Sequence, residues 1–386
     1  MMGMRLALIL ALAGGIPAGA QSIMNASRAA SLAAQLEHAQ AGEQALRCDV
    51  SPMKPRLNYS FRFQAGYTVT VPMRQYLGSG HRWALVTRIT PRGTPGNPGG
   101  QPVYLGARIP LPDVPKTNVD LQVGGGYLLG EGAYDVLWMM RDDSGRVCRK
   151  SWRVDVHPSR AERSVQVAMP PMTVWELGLR GSRMLPRATD DAAPLRLTIF
   201  LHAAPVSPRR TRLRPNDMVT LMSTVSSLLE RVPVRAVRLV LFNLEQQKEL
   251  YRKEDFHLAD MPQVSAAMNS IELGLVDFQV LKNRHGHVDL LAGLVNQELA
   301  EQPQSDVVLF MGPAARFSDR VPVASLEKPA ARGPQFYFLR MAPFSREEAM
   351  LPDTIASAVE RLGGKTLVIH TPGEFAKAIE RVEKSK

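Results

Sequence analysis

Cysteine and aromatic residues are scarce in this chain of 386 residues, which holds two cysteines, Cys48 and Cys148, and 6% Phe, Trp and Tyr. Two cysteines cannot supply a structural zinc site, which needs four clustered ligands. The Gly-x-Ser-x-Gly elbow, the His-Glu-x-x-His helix motif and the Walker loop are all missing. The common signatures of esterases, metalloproteases and nucleotide-binding enzymes are therefore excluded. The run Gly124-Gly125-Gly126 sits among strand patterns and precedes no helix, so it offers no phosphate cradle of the usual kind. Past the N-terminus, no apolar stretch reaches the roughly 18 residues that a bilayer-spanning helix requires.

What is present describes a folded, exported protein. Hydrophobic residues make up 45% and charged residues 22% of the chain, an ordinary balance for a packed interior. The length exceeds what one core usually organises, so two domains are expected. The start reads as a signal peptide over residues 1–20. Arg5 precedes an apolar run from Leu6 to Ile16, glycine-broken at Gly14 and Gly15, and Ala18-Gly19-Ala20 forms a small-residue cleavage site before Gln21. The localisation expected is periplasmic or secreted, with no transmembrane segment in the mature chain. In an oxidising compartment the even pair Cys48 and Cys148 is expected to form a disulfide closing a loop of about 100 residues. Two unpaired buried thiols are the alternative.

The formal net charge of +11 would suit nucleic acid. The positive charges are mostly scattered arginines, however, and no zinc-finger, helix-turn-helix or RNA-binding signature accompanies them. Nucleic acid is set aside as a partner, and an acidic or anionic surface is kept.

Residues 21–47 are rich in alanine and glutamine and are expected to form a helical spacer. From 48 to 157 the pattern has period two. Leu57, Tyr59, Phe61, Phe63, Tyr67, Val69, Val71 and Met73 occupy odd positions, with Asn58, Ser60, Arg62, Thr68 and Thr70 between them. This predicts a pair of half-buried strands with a bend at Gly66. Further strands are expected over 83–90, 103–109, 119–123, 133–141 and 146–156. The last two flank the hairpin turn Asp142-Asp143-Ser144-Gly145. Cys148 shares its alternation with Trp152, Val154 and Val156. An all-β sandwich-like domain follows over 48–157, and residues 158–194 read as a linker with one strand attached to a neighbour.

From Leu195 onward strands and helices alternate. The run 197–201 is continuously apolar, as in a buried parallel strand. Met218, Leu221, Met222, Val225, Leu228 and Leu229 form one helical face behind a cap at Asn216 or Asp217. Strands are expected over 237–243, 247–251, 306–311, 335–340 and 366–370, and helices over 288–299 and 354–362. A last helix begins at Thr371-Pro372-Gly373-Glu374, a capping box with proline in the first turn. The class expected for 195–386 is α/β, doubly wound.

The order of these elements, with an edge hairpin after the second parallel strand, resembles the von Willebrand factor type A domain. The whole layout resembles exported A-domain-related proteins of acidobacterial type. The resemblance implies a metal-ion-dependent adhesion site built from an Asp-x-Ser-x-Ser run, a later Thr and a strand-ending Asp, which together hold magnesium or manganese by hard oxygen ligands. This chain departs from that pattern at each position. His202, Ala204 and Val206 stand in the first run, His287 or Val288 at the Thr position, and Gly312, followed by Pro313, at the Asp position. Ser207 cannot replace the set. A degenerate site without metal or cofactor is expected.

The loops that the resemblance brings to that face carry His202, then Arg209, Arg210, Arg212 and Arg214, then Arg284, His285 and His287. The arginines could grip a carboxylate or phosphate, or the histidines could take a borderline metal such as zinc. The plain alternative is a solvated loop with ordinary surface histidines. Glu245, Glu249, Glu254 and Asp255, mixed with Lys248, Arg252 and Lys253, read as a charged sheet edge that opposes aggregation. The function expected is that of a noncatalytic exported scaffold or interaction protein with a protein partner in the envelope or outside the cell. The alternative is an envelope-polymer hydrolase or an anionic-polymer-binding protein.

Overall fold

Glycine decides how the first strands pass one another. β2 (Asp49–Leu57) and β3 (Phe63–Pro72) pair antiparallel, and β3 pairs in turn with β6 (Asp120–Leu129), setting Gly66 opposite Gly126. A Cβ on Gly66 would lie 2.2 Å from the Gly125 carbonyl oxygen, and one on Gly125 would lie 2.4 Å from the Tyr67 ring. Gly66 is thus a close-approach residue inside a continuous strand, and the bend expected there is absent. The chain reverses at 58–62 instead, where the Asn58 side chain accepts the N–H groups of Ser60 and Arg62 and Phe61 takes a φ of 54°. Asparagine side chains stabilise such turns by mimicking the backbone.

The structure is a computed structural model. It describes all residues except 1–20, 26, 30–42, 94–98, 178–193, 207–212, 272–277, 318, 320, 331–332, 344–351 and 386. The expected signal peptide therefore lies outside the described residues. The chain divides into two compact units, the first ending at Gly178 and the second beginning at Leu179.

The first unit consists of two sheets. One has the order β1-β5-β4-β7-β8, with β1 (Ser22–Ile23), β4 (Arg82–Pro91), β5 (Val103–Pro110), β7 (Gly132–Asp142) and β8 (Val147–Val156). The other runs β2-β3-β6-β9, with β9 (Val174–Glu176) paired to β6. Buried aromatic side chains join them. Tyr67 meets Trp138 edge-on at 5.3 Å and Trp152 at 6.3 Å. The Gln21 side-chain amide donates to the Tyr67 and Thr87 hydroxyls. Part of the expected helical spacer is thus strand β1 beside a buried Gln21, while 30–42 fall outside the described residues. Likewise, residues through 177 of the expected linker fold back on this unit, and Ala168 donates its N–H to the Phe61 carbonyl. A disulfide links Cys48, just before β2, to Cys148 in β8, crossing from one sheet to the other.

The second unit is built on a six-stranded sheet of order β12-β11-β10-β13-β14-β15. The strands are β10 (Leu195–His202), β11 (Val234–Asn243), β12 (Lys248–Lys253), β13 (Val307–Gly312), β14 (Gln335–Met341) and β15 (Lys365–Ile369). All pair parallel except β12, which runs antiparallel along β11. The helices are α1 (Pro215–Arg231), α2 (Met261–Asn269), α3 (Phe278–Lys282), α4 (Gly286–Ala300), α5 (Thr354–Arg361) and α6 (Pro372–Glu383). Phe200, Phe242, Phe310 and Phe338 project from one sheet face into a core shared with Leu291 and Val295 of α4 and Ile355 and Val359 of α5. At α6 the Thr371 hydroxyl accepts the Glu374 N–H, and the Glu374 carboxylate accepts the Thr371 N–H in return.

The class expected, an α/β doubly wound C-terminal domain of the von Willebrand factor type A kind behind an all-β sandwich-like domain, is corrected here. Three sheets carry the described fold and helix amounts to 25%, so the protein is mostly β. In a doubly wound sheet the crossovers between parallel strands usually carry helices back over it. Between β13 and β14, residues 313–334 hold only the three-residue 3-10 turn Val323–Ser325 among the described residues. Pro313, Pro322, Pro329 and Pro334 break that stretch, since proline removes a helical donor and clashes with the preceding turn. Alternating patterns in sequence count elements and do not reveal how much of the fold is sheet.

Candidate functional site

Of the positions singled out from sequence, His202 ends β10 and Gly312 ends β13. His202 is the last residue of β10 and is 3% exposed. Its ring stacks on Phe242 at 5.3 Å, and its Nδ1 lies 3.2 Å from the Pro313 carbonyl oxygen. A carbonyl only accepts, so Nδ1 carries the proton and Nε2 is left as a buried lone pair with no hydrogen-bond partner. Burial pushes the imidazole down to about 4, against the opposing effect of the Pro313 bond. At neutral pH this histidine is uncharged.

Gly312, where the resemblance places a metal-binding aspartate, has a φ of 140°. A Cβ there would meet the His202 carbonyl oxygen at 2.6 Å and the His202 Cβ at 2.9 Å. Neither the backbone conformation nor the space admits a side chain. Glycine at position 312 is therefore a packing requirement of this rim.

The loop after His202 is held by groups that carry no charge to spare. Asn243 donates its side-chain amide to the Ala203 carbonyl at 2.6 Å. Asp217, in the first turn of α1, accepts the N–H of Val206 at 3.3 Å and the N–H of Arg214 at 2.9 Å. One buried carboxylate thus clamps both ends of the 206–214 segment. Arg209, Arg210 and Arg212 lie outside the described residues. Arg214 serves as the N-cap of α1.

The second loop makes a small cluster. His285 Nδ1 is 3.2 Å from Asp319 Oδ2, and His287 Nε2 is 3.9 Å from the same oxygen. His285 is exposed, whereas His287 is 5% exposed and stacks on Phe317 at 4.2 Å. Burial lowers the His287 pKa, partly countered by Asp319. Gly286 admits Gln247, whose side-chain oxygen would lie 1.9 Å from an added Cβ. Arg284 is exposed. The structure thus joins His285 and His287 through Asp319 and sends the His202 ring to Pro313. Among the described residues no group of three His, Cys, Asp or Glu is placed to hold a metal ion. Asp319 and Phe317 escaped the sequence reading because they lie in an aperiodic stretch.

Two further clefts flank β15 at the sheet edge. One, of about 540 Å³, is lined by Arg340, Asp353, Ser357, Glu360 and Thr366 beside α5. Asp353 caps α5, accepts the N–H groups of Ala315 and Ala356, and has its other oxygen 3.7 Å from Arg340. Burial raises its pKa, which the backbone bonds and Arg340 oppose. The other, of about 690 Å³, is lined by Tyr337, Lys365, Lys377, Glu380, Arg381 and Lys384 beside α6. Four exposed cations face one carboxylate there. The spacing of Lys377, Arg381 and Lys384, one helical face, is the signal that could have found this cleft in the sequence.

No protein-family model matches the chain, and no curated protein matches it. Solved structures similar to it include Northeast Structural Genomics Consortium target SoR45, at 17% identity over 31% of this chain and 96% of that one, with a TM-score of 0.17. The β-glucuronidase of Bacteroides uniformis aligns at 9% identity over 69% of this chain and 36% of that one, with a TM-score of 0.17. A calcium-binding mutant of Bacteroides uniformis β-glucuronidase 2 aligns at 9% over 76% and 36%, with a TM-score of 0.16. This chain spans about a third of those glucuronidases. Likenesses this slight carry no argument about fold or activity. Among the described residues no helix is long and apolar enough to cross a membrane.

Proposed function

We propose that this protein is a noncatalytic, exported interaction protein that holds an acidic protein partner against its C-terminal unit. The observation that carries the reading is the cleft beside α6, where, among the described residues, Lys365, Lys377, Arg381 and Lys384 stand against the one carboxylate of Glu380. Elsewhere on this unit Arg238 is paired with Glu298 and Lys253 with Asp260. An excess of cations around one concavity raises the local concentration of an acidic ligand and speeds its capture. Export is supported by the leader-like first twenty residues and by the disulfide, a bond that persists in oxidising compartments. At the strand-end rim, the His202 Nδ1, the Asp217 carboxylate and the Asn243 amide are engaged in holding loops.

The test is fluorescence anisotropy of a labelled glutamate-rich peptide against the full chain, with parallel screening of esterase, phosphatase and glycosidase substrates. Binding that weakens about tenfold between low and moderate salt is expected. Robust turnover abolished by His202→Ala or His287→Ala, or no binding of any acidic peptide, would sink the reading.

A further inference from the structure

The geometry points to a more specific mode of capture: an extended acidic segment of a partner protein adds as a seventh strand along β15, with every second side chain in the cationic cleft. This inference rests on the acidic-partner reading and says how that partner is gripped.

Among the described residues β15 is the outer strand of its sheet, paired only with β14. The Ile369 carbonyl accepts the Ala342 N–H on the β14 side. Backbone polar groups of successive strand residues point to opposite edges, so Lys365, Leu367 and Ile369 turn theirs toward β14. Thr366 and Val368 turn their N–H and C=O groups outward, where an added strand would take them. An open edge of this kind is a template for strand addition.

The side chains alternate as well, between the two sheet faces. Lys365 and Tyr337 pair across the strands and both line the cleft beside α6. Thr366 lines the cleft beside α5, and Arg340, which also lines it, pairs with Val368. A strand laid beside β15 would drop alternate side chains into these two clefts. The α6 cleft selects carboxylates through Lys365, Lys377, Arg381 and Lys384. The α5 cleft sets one cation, Arg340, against two carboxylates, Asp353 and Glu360, and therefore disfavours acidic residues there. The preferred segment alternates acidic with non-acidic residues. Charged lysines along an edge usually deter self-pairing; here they deter another copy of the same basic edge while admitting an acidic strand, which is specificity by repulsion as well as attraction.

The test compares three labelled peptides on the full chain: an alternating Glu-Val octamer, an octamer of the same composition in two blocks, and the alternating octamer N-methylated along one edge. Methylation of the opposite edge serves as the control. The alternating peptide should bind about tenfold more tightly than the block peptide. One edge methylation should abolish that advantage and the other leave it intact. Lys377→Glu with Arg381→Glu, both on an exposed helix face, should weaken every acidic peptide. Val368→Pro, which removes only an outward N–H at a sheet edge, should erase the alternating preference alone. Equal binding of the block and alternating peptides, indifferent to methylation of either edge, overturns strand addition while leaving acidic capture standing. Loss of all acidic-peptide binding overturns both.

Discussion

Glu298 is buried to 1% exposure and satisfied on both carboxylate oxygens, its Oε2 by the Arg238 guanidinium at 2.6 Å. Oε1 receives the hydroxyls of Thr198 at 3.0 Å and Ser305 at 2.8 Å. Helix α4 is thereby tied to the starts of β10 and β13 and to β11. Breaking a buried pair strands a charge, which costs more than removing the pair altogether. Arg238→Met should therefore destabilise the unit by about 3–5 kcal/mol. Combining it with Glu298→Leu should recover part of that loss, because Thr198 and Ser305 can still bond each other at 2.8 Å. Urea unfolding of both variants measures this, and a double variant no better than the single would contradict it.

Tyr67 lies so closely over Gly125 that a methyl group cannot enter. A Cβ at Gly125 would meet both the Tyr67 Cζ and Oη at 2.4 Å. Gly125→Ala should cost about 1–3 kcal/mol as an overpacked interior. Trimming the ring by Tyr67→Leu should make the added methyl tolerable relative to that background. Thermal denaturation of the four-member cycle decides it; additive losses would argue against the contact.

Acid should weaken the second unit through His202. Its folded pKa, about 4, lies below the roughly 6.5 of an unfolded histidine. Between those values the unfolded state takes up a proton that the folded state refuses, so stability falls as pH drops through that window. The loss approaches about 3 kcal/mol by pH 4. His202→Phe, which keeps a ring against Phe242, should flatten this part of the profile. An unchanged slope in denaturant titrations at pH 4 to 7 would refute the assignment.

His81 should act in the opposite sense. Its Nε2 is bonded to the Leu77 carbonyl and its Nδ1 to the Asp143 carboxylate, two acceptors that only the imidazolium satisfies together. The Leu77 bond first, then Asp143, raise its pKa. Its stabilisation is complete below the unfolded value of about 6.5 and disappears as pH rises through the higher folded value. The same contact lowers the Asp143 pKa, so acid below the ordinary carboxylate range removes it again. Nuclear magnetic resonance titration of the ring should report the raised midpoint, and His81→Asn should lose it without disturbing β4.

Removing the disulfide should reduce stability substantially. The bond closes a separation of 100 residues, for which chain entropy predicts about 4–5 kcal/mol. The paired Cys48→Ser and Cys148→Ser variant should show this in urea at equal pH, and a loss below about 1 kcal/mol would speak against an entropic account.

Local order was written in residues that sit near each other in the chain. Odd-position burial through Val69 and Val71, the Asp142–Gly145 hairpin, the capping box at Thr371 and Glu374, and the helical face from Leu221 to Leu228 all follow from short-range periodicity and from turn or capping chemistry. So did the positions of Cys48 and Cys148, whose shared environment needed only alternation and an even count. The turn at Asn58 was equally local but was masked by an unbroken odd-position pattern.

Long-range packing settled the remainder. That sheet outweighs helix depends on a crossover from β13 to β14 that holds only a 3-10 turn among the described residues, and on Gln21 and β9 joining sheets whose other strands lie far off in sequence. The neutral state of His202 comes from burial among segments distant in sequence, its Nδ1 meets the carbonyl of Pro313, 111 residues later, and Gly312 is forced by the His202 backbone beside it. Asp319 gathers His285 and His287, while Lys365 meets Lys377, Arg381 and Lys384 only because α6 returns along β14 and β15. Periodicity reports which face of a strand or helix is apolar; which groups share a cavity depends on contacts between segments, and those form only when the chain closes on itself.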